Sequence, residues 1–121
     1  MNIRRSVDIE NEVRQVLAEY YTAYCDPLPA TYSLPFIRVI NAGGSERNQT
    51  DTFSVVIHGY AETDAEACEI TRNAAGIIKT WKYWHVEETT KATRFPDPLR
   101  PDLCRYRTTF LITAHQELFS L

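Results

Sequence analysis

The chain has 121 residues, a formal net charge of -3, 44% hydrophobic and 24% charged residues. That is the size and make-up of one globular domain spanning 1-121; it excludes a disordered polymer, and also a general nucleic-acid binder, which needs a surplus of Lys and Arg to neutralise phosphates. No apolar run approaches the length of a membrane span and none follows Arg4 and Arg5 as an export signal, so no membrane contact and synthesis in a cytoplasm are expected.

From Asp8 to Tyr24 the apolar residues Val13, Val16, Leu17, Tyr20 and Tyr24 recur at three- and four-residue steps, which predicts an amphipathic helix. Pro27 and Pro29 stop it, because proline removes a backbone donor and disfavours helix in the residue before it. Phe36–Ile40 is short, β-branched and bounded by turn residues, and predicts a strand. Thr52–Tyr60 predicts a second strand, with Phe53, Val55 and Ile57 on one face. The two make a hairpin joined by a long polar loop, Asn41 to Asp51, with Gly43 and Gly44 at its tip.

Thr63-Asp64-Ala65-Glu66 is a capping box, in which a threonine oxygen accepts from a backbone amide three residues on. The helix it opens has the stripe Ala67, Ile70, Thr71, Ala74, Ile77, Ile78 and Trp81, whose small residues allow close approach to a sheet. Trp84–Thr90 predicts a third strand and Arg105–His115 a fourth. Between them, three prolines in Phe95-Pro96-Asp97-Pro98-Leu99-Arg100-Pro101-Asp102 exclude regular structure. The expected fold is α+β in the order α-β-β-α-β-β, a four-stranded mixed or antiparallel sheet with two helices packed on one face.

The residues that carry chemistry are sparse. His85-Val86-Glu87 matches half of a zinc-deaminase signature, but the partner Pro-Cys-x-x-Cys is missing. His58, His85 and His115 are isolated, and Cys25, Cys68 and Cys104 are odd in number, widely spaced and never paired as C-x-x-C. No Gly-x-Ser-x-Gly elbow and no phosphate-binding glycine loop is present. The expectation is a protein with no catalytic, cofactor-binding or metal site, acting through its surfaces. Trp81, Tyr83 and Trp84 could form an aromatic platform, although a tryptophan at a helix end more often closes the core.

In order along the chain, Leu34-Pro-Phe-Ile-Arg-Val, Asn41-Ala-Gly-Gly-Ser-Glu-Arg-Asn, Asp51-Thr-Phe-Ser-Val-Val-Ile-His-Gly-Tyr-Ala, Glu62-Thr-Asp-Ala-Glu-Ala-Cys, Phe95-Pro-Asp-Pro and Cys104-Arg-Tyr-Arg-Thr-Thr-Phe-Leu-Ile-Thr-Ala resemble the tail terminator and tail-completion proteins of long-tailed bacteriophages. The likeness lies in the succession of segments from Ile9 to Ala114; Trp81 to Thr93 and Gln116 to Leu121 have no counterpart in it. It implies a homo-hexameric ring at the head-proximal end of the virion tail, capping the tail tube protein, stopping its polymerisation and meeting a head-completion or connector protein. DNA would pass through such a ring without sequence-specific binding. The implied subunit or tube contacts are Gly43, Gly44, Glu46, Arg47 and Asn48 in the hairpin, and Arg94, Phe95, Asp97 and Arg100 in the proline-rich loop. Two other readings stay open: a head-completion or connector protein, and a small-molecule-binding α+β domain with a deep pocket lined by His58, His85 or Cys68.

Overall fold

The computed structural model describes all 121 residues. The order is β1 (Asn2–Arg5), α1 (Ile9–Ala18), β2 (Ala23–Cys25), β3 (Phe36–Arg47), β4 (Thr50–Ala61), α2 (Asp64–Thr80), β5 (His85–Arg94), β6 (Cys104–His115) and β7 (Glu117–Ser120). The fold is α+β, but the expected four-stranded sheet is five-stranded in the order β2-β3-β4-β6-β5, and β1 and β7 form a separate two-stranded sheet. Only the β2–β3 pair is parallel, which makes the main sheet mixed.

The first helix ends at Ala18, six residues earlier than its periodicity predicts, and Ala23–Cys25 becomes β2. Backbone amides of Tyr20 and Tyr21 both bond to the Leu17 carbonyl, so the chain turns there. The aromatic and β-branched run Tyr20-Tyr21-Thr22 gives helix little support. Tyr24 is drawn instead to the edge of β3, where its ring meets Phe36 edge-on at 5.5 Å, on the sheet face away from the helices. Burial across the sheet overrides the local period.

The predicted long loop between β3 and β4 is a strand continuation closed by a two-residue turn. Asn48 and Gln49 both have positive φ, 52° and 67°, the geometry of a type I′ hairpin turn that asparagine tolerates. Gly43 and Gly44 therefore sit away from the tip, at a bulge where the register slips between Asn41 and Gly44. Gly43 has φ +113°, and a Cβ on Gly44 would stand 2.5 Å from the Thr52 carbonyl oxygen. The polar stretch of β3 stays extended because β4 is held on its other side by β6 along its whole length, from Thr50 opposite His115 to Ala61 opposite Cys104.

Both helices lie on one face of the sheet. Ile9, Val13 and Leu17 of α1 and Ile70, Ala74, Ala75 and Ile78 of α2 form one cluster with Ile37, Val39, Phe53, Val55, Ile57, Phe110 and Ile112. Asp8 and Thr63 cap the two helices through side-chain oxygens that accept from Asn11 N and Glu66 N. Glu88 fastens the edge strand to α2: its nearly buried carboxylate takes Lys79 at 3.1 Å, Lys91 at 2.8 Å and the Thr108 hydroxyl at 2.8 Å.

Gly59 lets α2 approach β4, since a Cβ there would collide with Thr71 Oγ1 and lie 3.2 Å from the Ala67 carbonyl oxygen. We expect Gly59→Ala to push the helix outward and lower the urea midpoint, at about 1–3 kcal/mol for overpacking; an unchanged midpoint would show that the helix shifts freely.

Candidate functional site: a loop-capped sheet face and two separated ends

The face without helices carries Phe36, Arg38 and Ile40 of β3, Ser54, Val56, His58 and Tyr60 of β4, and Arg105, Arg107, Thr109 and Leu111 of β6, as their cross-strand pairing dictates. At the end of the sheet near Tyr60 this face is covered by the segment from Phe95 to Leu103. Phe36 stacks on Tyr60 at 4.6 Å, and Tyr32 leans on Phe36 at 4.9 Å. Phe95 lies 5.9 Å from the His58 ring, with the guanidinium groups of Arg105 and Arg107 at 4.6 Å and 4.0 Å from its centroid.

Asp97 is the anchor of this segment. It is buried and accepts from Tyr60 Oη at 2.8 Å, from the Leu99 amide at 3.0 Å and from Arg100 at 3.2 Å, with Arg105 at 3.6 Å. Arg105 also donates to the carbonyl oxygens of Phe95 and Pro96, at 2.6 Å and 3.1 Å. Burial by itself raises the Asp97 carboxyl, but the donors from Tyr60, Leu99 and Arg100 and the charge of Arg105 outweigh it and hold the group below its usual value. Removing one member of such a network strands its partners.

His58 sits beneath Phe95, buried, with an Nδ1 that has no hydrogen-bond partner. Burial and the nearby charges of Arg105, Arg38 and Arg107 push its pKa down to about 4, with Asp97 opposing them. The imidazole is therefore neutral at physiological pH. Cys25 is likewise unreactive: burial first, then Glu10, pushes its thiol up to about 11. His85 and Glu87 are exposed on edge strand β5, and His85 borders a shallow groove with His115, Lys82 and Tyr83. No group of three His, Cys, Asp or Glu side chains is arranged to hold a metal ion, and no helix is long and apolar enough to cross a membrane.

The two sets of residues singled out in the sequence lie at opposite ends of the sheet. Gly43, Gly44, Glu46, Arg47 and Asn48 are exposed beside the Thr50 end of β4, whereas Phe95, Asp97 and Arg100 gather at its Tyr60 end. Ten residues of strand separate these ends, roughly 30 Å at the usual rise. Within the second set, Arg94 pairs with Asp64 at 3.3 Å, Phe95 is partly exposed, and Asp97 and Arg100 are turned toward each other. The Asp97 carboxylate is engaged within the chain, so the residue fixes the shape of the loop and is not itself exposed. The sequence reading missed the role of Tyr60 and Arg105. They face each other across β4 and β6, a pairing that depends on register.

At the far end of α2, Trp84 packs against the core, while Trp81 and Tyr83 turn outward. Trp81 and Trp84 lie 5.9 Å apart and line a groove with Glu12, Gln15, Val16 and Glu19 of α1 and its cap.

Asp97→Ala is expected to destabilise the protein by about 3 kcal/mol or more, as for other buried pairs that lose one partner. Limited proteolysis between Pro96 and Asp102 should accelerate in this variant; cleavage at the parental rate would mean the loop is held by other contacts. The unfolded chain protonates His58 near pH 6.5 and the folded one only near 4, so the unfolded state binds more protons between these values and stability falls as pH drops through them. His58→Leu should flatten urea stability between pH 6.5 and 5, where most carboxylates remain ionised; a slope equal to the parent's rules out the neutral imidazole.

No family model matches the chain, and a comparison with curated proteins returns no match.

Proposed function

We propose that this chain is a structural subunit of a bacteriophage tail, a terminator that closes into a homo-hexameric ring on the tail tube, stops its growth and presents a joining surface to a head-completion or connector protein. It does so without a catalytic centre, as a component of the virion assembled from chains made in the host cytoplasm. The reading rests first on the succession of segments from Ile9 to Ala114 that resembles tail terminators. The observation that carries it further is the separation of the two exposed contact regions. A hairpin end and a stiffened loop about 30 Å apart on one rigid sheet suit a part that must touch one partner on each side.

The borders of the sheet support the same reading. β5 is unpaired along its outer side; β2 covers β3 only from Ile37 to Val39 and the Glu10 carboxylate takes the Asn41 amide at 2.7 Å, leaving the stretch from Gly44 to Arg47 open on the opposite border. Two different free borders on one subunit favour head-to-tail contacts, and such contacts close into a ring when the rotation between neighbours is right. A net charge of -3 per subunit suits a passage through which DNA slides without being held. The tube-facing end would stop growth by matching the last tube subunits while offering nothing that a further tube ring can stack upon.

Electron microscopy of the protein mixed with polymerising tail tube protein tests this directly. Tubes of limited length with a density cap at one end are expected, and replacing Glu46 and Arg47 together by Ala should weaken capping at least tenfold in the protein concentration required. Tubes that lengthen as fast with the protein as without it would sink the proposal.

A further inference from the structure

The groove between the N-terminal helix and the indoles after α2 carries a chemistry that a cap on a tube does not need. Its volume is about 190 Å³, room for one long side chain, and its walls are Trp81 and Trp84 on one side and Glu12, Gln15, Val16 and Glu19 on the other. The two indole rings are tilted by 50° to each other, and Trp81 is 38% exposed. Aromatic faces beside carboxylates attract guanidinium and ammonium groups, with tryptophan the best of the aromatic partners.

Glu12 brings a negative charge that no cation of the chain neutralises. Its Oε2 is sealed from solvent and accepts no hydrogen bond, so its Oε1, which also has no partner within the chain, is the atom that a group entering the groove can meet. The cations nearest in sequence are committed elsewhere: Arg14 donates to Asn11, and Arg5 pairs with Glu117 at 2.8 Å. Burial first, then the charges of Glu117 and Asp8, hold the Glu12 carboxyl above its ordinary value. Glu19, fully on the surface side of the groove, adds a second negative charge.

We propose that this groove is a docking site for an arginine side chain of a partner polypeptide, the guanidinium stacking on Trp81 and Trp84 and neutralising Glu12. A basic segment of another protein is the occupant that the charges select, since the walls hold two carboxylates and no cation. Arginine fits better than lysine because its flat, weakly hydrated head stacks on an indole while its edge still donates to a carboxylate. The site does not depend on the ring: it would exist in a monomer and would bind a partner there.

Trp81 and Trp84 are the only tryptophans in the chain, so emission excited beyond the tyrosine absorption band comes from the two indoles that line this groove. An acetylated, amidated tri-arginine peptide titrated into the full protein should give a saturable change in emission. Glu12→Gln should weaken the apparent affinity at least fivefold, and 0.5 M salt should do the same, because a partly exposed ion pair is screened. Glu62→Gln removes an equal charge beyond the other end of α2 and should bind as the parent does; Glu19→Gln provides a second groove variant if Glu12→Gln folds poorly. A tri-glutamate peptide should leave the emission unchanged. The proposal is overturned if tri-arginine produces no saturable change, or if the change is the same in Glu12→Gln, Glu19→Gln and Glu62→Gln. Emission that shifts with protein concentration alone, and loses that dependence in Glu12→Gln, would also overturn it by handing the groove to a second copy of this chain.

Discussion

The carboxylate of Asp97 is the point on which the helix-free side of the molecule depends. An α+β sheet with both helices on one face leaves the opposite face to be covered by whatever the connections provide. Here nine residues of irregular chain do part of that work, and irregular chain carries backbone groups that need partners. Asp97 gathers Tyr60, Arg100, Arg105 and the Leu99 amide, while Arg105 satisfies the Phe95 and Pro96 carbonyls. The loop is thereby fixed to two adjacent central strands. Its prolines contribute stiffness, and the charge network contributes position.

That anchoring has an electrostatic counterpart. Arg38, Arg105 and Arg107 converge near His58, and a fourth positive charge in that space would be repelled by all three. The imidazole stays neutral and serves as a flat surface under Phe95. Aromatic stacking with Tyr32, Phe36 and Tyr60 extends the same layer toward β2. The result is a second, smaller core made of rings and guanidinium groups, opposite the aliphatic core under the helices.

The aliphatic core was legible in the sequence because it obeys local periods. The stripe of α2 from Ala67 to Ile78, the alternation in β4 and β6, and the Thr63 cap all follow from residues within a few positions of one another, whereas Trp81, which the same period adds to the stripe, lies past the helix end and turns outward. What escaped was what depends on distant segments. Tyr24 continues the period of α1 yet belongs to an edge strand, because Phe36 lies across the sheet. β1 and β7 have no alternation to announce them and exist only as each other's partners, with Asn2 opposite Ser120. The hairpin was misjudged for a related reason: the polar residues of β3 read as loop, and only their place beside a fully paired β4 keeps them extended. Of the residues proposed as contacts, the exposed positions near Arg47 and Phe95 were readable from turn and proline chemistry. Neither their separation to opposite ends nor the groove under Trp81 could be, since both require register and helix placement.

The outer strand β5 departs from regular pairing twice, between Glu88 and Thr90 and again between Thr90 and Thr93. Such irregularities twist and kink a border so that a second sheet cannot align with it over many residues. Lys91 projects from the same stretch into solvent and adds a charge that incoming strands must desolvate. The colloidal consequence is that this open border resists indiscriminate fibre growth even at the high concentrations of an overproducing cell, so that joining along it demands a surface shaped for its kinks.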